Sequence, residues 1–233
     1  PRIGSLERVE GGWRYRAPER LEAEVVTLTA RMGDLRAKAI VRLAPGELAE
    51  VKIEPEKIEL RAGEEVELRA KGYDRFGNPV EVSPSWEISP GLGELSGEGD
   101  EAVYRAVRAG RETIRAVEGG IYGEVAVTVL PGEPVSIELE PEEAVLRSGE
   151  SLTIRAGGVD RFGNGVELEG VEWELASGGG KLEPRGAVAT FTALKAGEAG
   201  IRAIWGGLSA AARVRVIPGE LEGIELRIVS GGA

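Results

Sequence analysis

Apolar and polar residues alternate over most of this chain of 233 residues. Between residues 65 and 73, for example, Val66, Leu68 and Ala70 alternate with charged side chains. A period of two places the apolar side chains on one face of an extended strand, and no helical period competes with it. The pattern therefore predicts an all-β protein in which each strand buries one face.

The pentapeptide Asp-Arg-Phe-Gly-Asn occurs at residues 74–78 and again at residues 160–164. When the chain is aligned on this motif, residues on either side match with an offset of 86 or 87. The matched positions are Gly63 with Gly149, Trp86 with Trp173, Tyr104 with Phe191, Ala116 with Ala203, and Pro131-Gly132-Glu133 with Pro218-Gly219-Glu220. A repeat of this length is a whole small domain rather than one turn of a solenoid.

The repeat divides the chain into two complete copies and two partial ones. Near the amino terminus Tyr15 matches Tyr104, and near the carboxy terminus Ile224, Leu226 and Ile228 alternate like an opening strand. The predicted segments are the second half of a repeat (1–45), two full repeats (46–131 and 132–218) and the first strand of a further repeat (219–233). We therefore expect a piece of a longer array, in which the opening strands of the first segment are missing or come from elsewhere.

Each repeat shows about seven short strands with a tryptophan on the third, which predicts a β-sandwich of immunoglobulin type. Pro55 interrupts the first strand, so we place it at an edge or a bend, because proline cannot donate to a ladder. Gly119-Gly120 predicts a tight hairpin, because glycine tolerates the positive φ angles that such turns require.

Several short motifs give the repeats a resemblance to a known family. They are Ile-Glu-Leu-Glu-Pro (137–141), Gly-Glu (63–64 and 149–150), Asp-Arg-Phe-Gly-Asn, and Ala-Gly (109–110 and 196–197) after a strand with an aromatic residue. In this order they resemble the bacterial immunoglobulin-like domains of invasin- and intimin-like adhesins, which also occur beside secreted hydrolases. The resemblance implies tandem immunoglobulin-like β-sandwiches, and it implies no single function because the family provides stalks, spacers and binders alike.

Charge and composition exclude several classes of function. The formal charge of −11, from 40 acidic and 29 basic residues, argues against a nucleic-acid or anionic-membrane partner. No apolar run approaches the roughly 18 residues of a membrane helix, so we expect no membrane insertion. Because the chain has neither Cys nor His, disulfides, Cys–His or Ser–His–Asp catalysis and ordinary zinc sites are excluded.

The residue usage is typical of a protein from a thermophile. The chain has no Gln, two Asn and one Met, and Arg is far more frequent than Lys. Heat-adapted proteins deplete thermolabile residues and favour charged ones. GC-rich codon usage would produce the same excess of Arg and Gly.

The acidic residues indicate no catalytic pair. Glu138 and Glu140 alternate with apolar residues, and Glu142 and Glu143 follow them, as on the solvated face of a strand. No spacing singles out two carboxylates of the kind that hydrolyse glycosides. We predict that the chain is not an enzyme and has no catalytic residues.

The candidate metal ligands are Asp74 and Asn78, with their counterparts Asp160 and Asn164, because each pair of oxygen-bearing side chains flanks a glycine. The spacing of an EF-hand is absent. The favoured interpretation is that each aspartate caps its own turn through side-chain to backbone hydrogen bonds. Ca²⁺ is the one cofactor that the motif suggests, and a purely structural turn is the stronger prediction.

The tryptophans fall into two kinds. Trp86 and Trp173 occupy the position where an immunoglobulin-type sandwich keeps its core tryptophan. Trp205 stands where the other full repeat has Glu118, which indicates an exposed position. Trp205 is therefore the candidate ligand-binding residue, for sugar stacking or domain contact, against the alternative of an ordinary residue at a hairpin end.

Three functions follow from these observations. The leading hypothesis is a non-enzymatic, rod-like spacer or adhesion module of a secreted or cell-surface bacterial protein, with the neighbouring modules of a longer chain as its partners. The first alternative is an accessory module of a secreted hydrolase that binds carbohydrate or cell wall. The second is a structural subunit that self-associates, in which the incomplete ends of neighbouring chains pair head to tail by strand addition.

Overall fold

The computed structural model describes residues 3–220 and confirms the all-β prediction, since these residues form strands and turns without a helix. The chain divides into two compact units, Pro1–Leu130 and Pro131–Ala233. Almost all of the segment predicted to open a further repeat, 219–233, lies outside the described residues. Among residues 3–220 there is no helix with the length and apolar character that crossing a membrane requires.

The first unit begins with two separate hairpins. Strand β1 (Ser5–Val9) pairs with β2 (Gly12–Arg16), and β3 (Val25–Met32) pairs with β4 (Leu35–Arg42). Within residues 3–220 neither hairpin is hydrogen-bonded to another strand. Several of their apolar side chains are 50–75% exposed, namely Trp13, Val25, Met32, Leu35 and Ile40. This part of the unit therefore presents apolar faces that no described strand covers.

The rest of the first unit is a sandwich of two sheets. Its strands are β5 (Leu48–Glu54), β6 (Ile58–Arg61), β7 (Glu65–Asp74), β8 (Pro79–Val80), β9 (Ser85–Ser89), β10 (Gly93–Glu98), β11 (Glu101–Ala106), β12 (Gly110–Glu118) and β13 (Ile121–Leu130). One sheet has the order β10-β11-β7-β5, with β8 beside β7, and the other has the order β6-β13-β12-β9.

The second unit contains a sandwich with the same strand order. Its strands are β14 (Pro134–Glu140), β15 (Glu143–Arg147), β16 (Ser151–Asp160), β17 (Gly165–Val166), β18 (Glu172–Ser177), β19 (Gly180–Arg185), β20 (Val188–Ala193), β21 (Gly197–Trp205) and β22 (Leu208–Ile217). The two sheets have the orders β14-β16-β20-β19, with β17 beside β16, and β15-β22-β21-β18. The repeat in sequence is therefore a repeat of structure.

Proline marks the point where the chain changes sheets. In the first sandwich β5 pairs antiparallel with β7, whereas β6 pairs in parallel with β13 of the other sheet. Pro55 lies between β5 and β6, where we expect a bend, and Pro141 lies at the same place between β14 and β15. The missing N–H of proline removes no ladder hydrogen bond at this crossing. The Gly119-Gly120 hairpin also forms as predicted, with φ angles of 58° and 84°.

Strands β10 and β19 are the elements that alternation does not predict. In β10 two glycines interrupt the apolar pattern, and the structure explains both of them. A Cβ at Gly93 would lie 2.5 Å from the Tyr104 ring, and a Cβ at Gly97 would lie 2.5 Å from the Trp86 ring. The glycines that obscure this strand in the sequence are therefore required by the aromatic side chains packed over it.

The core of each sandwich contains an aromatic side chain at the same aligned position. Tyr104 in the first sandwich and Phe191 in the second are fully buried. Trp86 and Trp173 are only half-buried, and each indole N–H donates to a turn carbonyl, that of Gly99 at 3.2 Å and that of Gly186 at 3.0 Å. These tryptophans lie at the edge of the core rather than at its centre.

Candidate functional site

The carboxylate of Asp74 holds the turn at residues 74–78 together. Its Oδ1 accepts hydrogen bonds from the backbone N–H groups of Phe76, at 2.8 Å, and Asn78, at 2.9 Å. Its Oδ2 accepts from the backbone N–H of Gly46 and from Asn78 Nδ2, both at 2.8 Å. Gly77 has a φ of 81°, in the left-handed region that favours glycine. One buried carboxylate therefore satisfies four donors, one of which belongs to the segment that leads into the repeat.

The second copy of the motif has the same internal contacts. Asp160 Oδ1 accepts from the backbone N–H groups of Phe162 and Asn164, at 2.8 and 2.9 Å. Asp160 Oδ2 accepts from the backbone N–H of Gly132 at 2.8 Å and from Asn164 Nδ2 at 2.9 Å. Gly132 corresponds to Gly46, so each turn binds the glycine that precedes its own sandwich.

These hydrogen bonds fix the charge state of both aspartates. Burial acts to raise the pKa of Asp74, but the hydrogen bonds from the Asn78 side chain and from three backbone N–H groups outweigh it and hold that pKa well below its ordinary value. The same balance of burial against hydrogen bonds, with the Asn164 side chain first among the donors, lowers the pKa of Asp160. Both groups are therefore carboxylates at neutral pH.

The motif does not fit a calcium site. Ca²⁺ takes about six to eight oxygen ligands, whereas both oxygens of each aspartate already accept hydrogen bonds from N–H donors. Across residues 3–220 no three Asp, Glu, Cys or His side chains are grouped so that they could hold a metal ion. A metal-ligand role thus stays a prediction, which these contacts do not support, for Asp74, Asn78, Asp160 and Asn164.

The side chain of Asn78 points out of its turn and contacts the segment that follows β2. Its Oδ1 accepts a hydrogen bond from the backbone N–H of Leu21 at 2.7 Å, and its Nδ2 donates to the backbone carbonyl of Glu19 at 2.7 Å. Asn78 is only 5% exposed. From the sequence Asn78 is a candidate metal ligand only, and no pattern along the chain indicates this contact.

Trp205, the candidate ligand-binding residue, is fastened to a loop of its own sandwich. Its side chain is half-buried and packs against the core, and its Nε1 donates to the backbone carbonyl of Glu169 at 2.8 Å. At the aligned position, the Glu118 carboxylate accepts from the backbone N–H of Ser83 at 2.6 Å. Two chemically different side chains therefore hold the same loop, the one before β9 in the first sandwich and before β18 in the second. This explains why the position accepts both residues. A ligand role for Trp205 stays a prediction.

A groove of about 680 Å³ lies between the two hairpins at the start of the first unit. Its lining includes Leu6, Trp13, Tyr15, Leu28 and Ala30. Four of these side chains align with buried positions of the first full repeat, and among them Trp13 aligns with Ala102. The groove is therefore an uncovered version of a sandwich core, with one large aromatic side chain where the full repeat has a methyl group.

No protein-family model matches this chain, and the comparison with curated proteins finds no match. Solved structures do share the fold. FdeC, an adhesin of Escherichia coli, matches with 22% identity and a TM-score of 0.54, over 76% of this chain and 67% of that chain. Invasin, a bacterial integrin-binding protein, matches with 16% identity and a TM-score of 0.53, over 89% of this chain and 48% of that chain. The chain therefore has the fold of tandem immunoglobulin-like β-sandwiches, as its sequence predicts.

Proposed function

We propose that this chain is a non-enzymatic structural module of a bacterial surface protein. It acts as a spacer that holds another part of that protein away from the cell or presents it for adhesion. The observation that carries the proposal is that each connector, the short segment before a sandwich, is hydrogen-bonded to the sandwich that follows it. Gly46 and Gly132 each donate a backbone hydrogen bond to the aspartate of the sandwich that follows. A connector bound in this way loses the freedom that a Gly/Ser tether would have.

Two further observations support a spacer. Only three residues, 131–133, separate β13 from β14, so little chain is available for a hinge. Among the structures with the same fold are an adhesin and an integrin-binding protein.

Small-angle X-ray scattering of the whole chain tests the spacer. A compact chain of this length has a radius of gyration of ~17 Å, and we expect a value well above it. The control is a variant with a flexible Gly/Ser segment inserted after Leu130, which should broaden the distribution of interatomic distances. A radius near the compact value, with the sandwiches folded back on each other, would contradict the proposal.

The uncovered groove favours a second function, self-association by strand addition. In the full repeat Tyr104 lies opposite Val66 of β7, and Ala102 lies opposite Leu68. Tyr15 and Trp13 hold the corresponding positions on β2, whose edge has no partner strand within residues 3–220. We propose that an extended strand with the alternation of β7, supplied by a second copy, pairs with β2 and covers the groove.

Light scattering over a concentration series tests strand addition. We expect the mass to grow with concentration, because the groove is filled in trans. Leu28→Asp places a charge in the groove and should abolish the growth, since an unpaired charge in an apolar interface is costly. Met32→Asp is the matched control, because Met32 is 75% exposed at the tip of the same hairpin. A monomer at every concentration would exclude this function.

A further inference from the structure

We propose that the Asp-Arg-Phe-Gly-Asn turn at 74–78 is a docking site between consecutive modules, with the main chain of the preceding module as its occupant. Asp74 binds the connector, and Asn78 binds the segment after β2. This inference builds on the proposed spacer function, because it names the partner that such a spacer holds at its joint. It assigns to the motif a role that neither a metal site nor an isolated turn provides.

The side chain of Asn78 has the chemistry for this contact. Its carbonyl oxygen accepts from Leu21 N–H, and one proton of its Nδ2 goes to the Glu19 carbonyl, both at 2.7 Å. The other proton of Nδ2 goes to Asp74 Oδ2 at 2.8 Å. All the donors of the amide are thus used. Aspartate could not donate to Glu19, and a hydroxyl could not accept and donate across two residues of main chain, so the site requires a primary amide.

The composition of the chain supports the same conclusion. The chain contains two asparagines and no glutamine, and both asparagines lie in this motif. The turn closes without the side-chain carbonyl of Asn78, because Asp74 Oδ1 accepts from the backbone N–H groups of Phe76 and Asn78, and the backbone carbonyls of Asp74 and Asn78 accept from Gly77 and Asp74. The amide of Asn78 is therefore available for contact with another segment.

The occupant is recognised through its main chain rather than its side chains. Both hydrogen bonds end on backbone atoms of residues 19 and 21, which lie two positions apart as in the pairing of a strand edge. The intervening Arg20 has its Nη2 4.0 Å from the position that a Cβ would take at Gly77. The docked segment therefore lies against the turn, while the left-handed φ is what requires glycine at position 77.

NMR-detected hydrogen exchange in the full chain tests the docking site. Asn78→Ala removes the amide but keeps the backbone N–H that closes the turn on Asp74. We expect the exchange of the Leu21 amide to accelerate at least about tenfold, while the Phe76 amide keeps its protection. Asn164→Ala is the matched control, because it removes the equivalent side chain from the other copy of the motif and should leave Leu21 unchanged. Unchanged protection of Leu21 in Asn78→Ala would overturn the inference.

A second pair of variants changes the occupant instead of the turn. Leu21→Pro deletes the N–H that Asn78 binds, whereas Leu21→Ala keeps it. The side-chain amide signals are easy to follow, because a chain with two Asn and no Gln has only two such groups. We expect the Asn78 signals to shift in Leu21→Pro and to stay in place in Leu21→Ala. Equal signals in both variants would also overturn the inference.

The two proposals can fail separately. If scattering shows a compact particle while the Leu21 amide is protected from exchange, the spacer function is excluded and the docking site is retained.

Discussion

Glu112→Ala should destabilise the first sandwich by about 3 kcal/mol, because it leaves one buried and one half-buried donor without an acceptor, at about 1–3 kcal/mol each. Glu112 is only 4% exposed, although it is charged and lies in a strand. One carboxylate oxygen accepts from the hydroxyl of Tyr104, which is fully buried. The other accepts from the backbone N–H of Leu92 at 2.7 Å. The glutamate is thus a structural acceptor inside the core.

The pKa of the Tyr104 hydroxyl reflects its contact with Glu112. Burial raises the pKa of Tyr104, and the hydrogen bond to Glu112 and the charge of Glu112 raise it further. The phenol therefore remains protonated at neutral pH and donates to Glu112. Removing Glu112 would leave this hydroxyl in an apolar core with no partner.

The second sandwich shows how the loss can be repaired. Phe191 stands at the position of Tyr104, and Ala199 stands at the position of Glu112, and both are buried. Hydroxyl and carboxylate are absent together, so neither is left unsatisfied. We therefore expect Tyr104→Phe in the Glu112→Ala background to recover the part of the loss that comes from the Tyr104 hydroxyl, while the part from the Leu92 N–H remains, and the double-mutant cycle to show coupling.

Chemical unfolding followed by the tryptophans of the first unit measures these effects. Glu124→Ala is the control, because Glu124 pairs with Arg115 at 3.2 Å on the exposed face of β13, and loss of such a pair should cost less than about 1 kcal/mol. Additive effects of Tyr104→Phe and Glu112→Ala, without recovery in the double variant, would show that the carboxylate does not act through the tyrosine.

The sequence predicts the repeat, the alternation of the strands and the aromatic position at 104 and 191, because these features are periodic and local. It does not reveal the link between Tyr104 and Glu112, since no pattern along one strand shows which side chain lies across the core. The change from Glu112 to Ala199 is visible in the alignment of the two repeats. Only together with the change from Tyr104 to Phe191 does it indicate a buried pair.

The candidate site at residues 74–78 can also be predicted only in part, because only some of its contacts are local in sequence. The turn capped by Asp74 follows from the residue types at 74–78 alone, because its hydrogen bonds are local. The contacts of Asn78 with Glu19 and Leu21 join residues almost sixty positions apart. Trp205 was expected to be exposed because Glu118 occupies its aligned position, and the structure instead half-buries it. Alignment assigns one environment to both positions, whereas each side chain holds a loop through a hydrogen bond of its own.

The second large effect is an acid-sensitive stability that depends on Asp74 and Asp160. Both have a folded-state pKa below the ordinary value of 3.8. Below that value the unfolded chain binds protons that the folded chain does not, so the free energy of unfolding falls as the pH falls. The stabilisation is complete above about pH 4 and is lost progressively as the pH drops towards the folded-state pKa values.

Unfolding measured between pH 2 and 7 tests this dependence. We expect unfolding of the wild-type chain to take up additional protons at pH 2–4, up to one for each of the two carboxylates. Asp74→Asn should lower stability at pH 7, because an amide oxygen cannot replace a carboxylate that accepts four hydrogen bonds. It should also flatten the acid slope of the first unit. Asp34→Asn, at an exposed hairpin turn, is the control and should leave the slope unchanged. An unchanged acid slope of the first unit in Asp74→Asn would show that other carboxylates, and not this turn, set the acid limit of that unit.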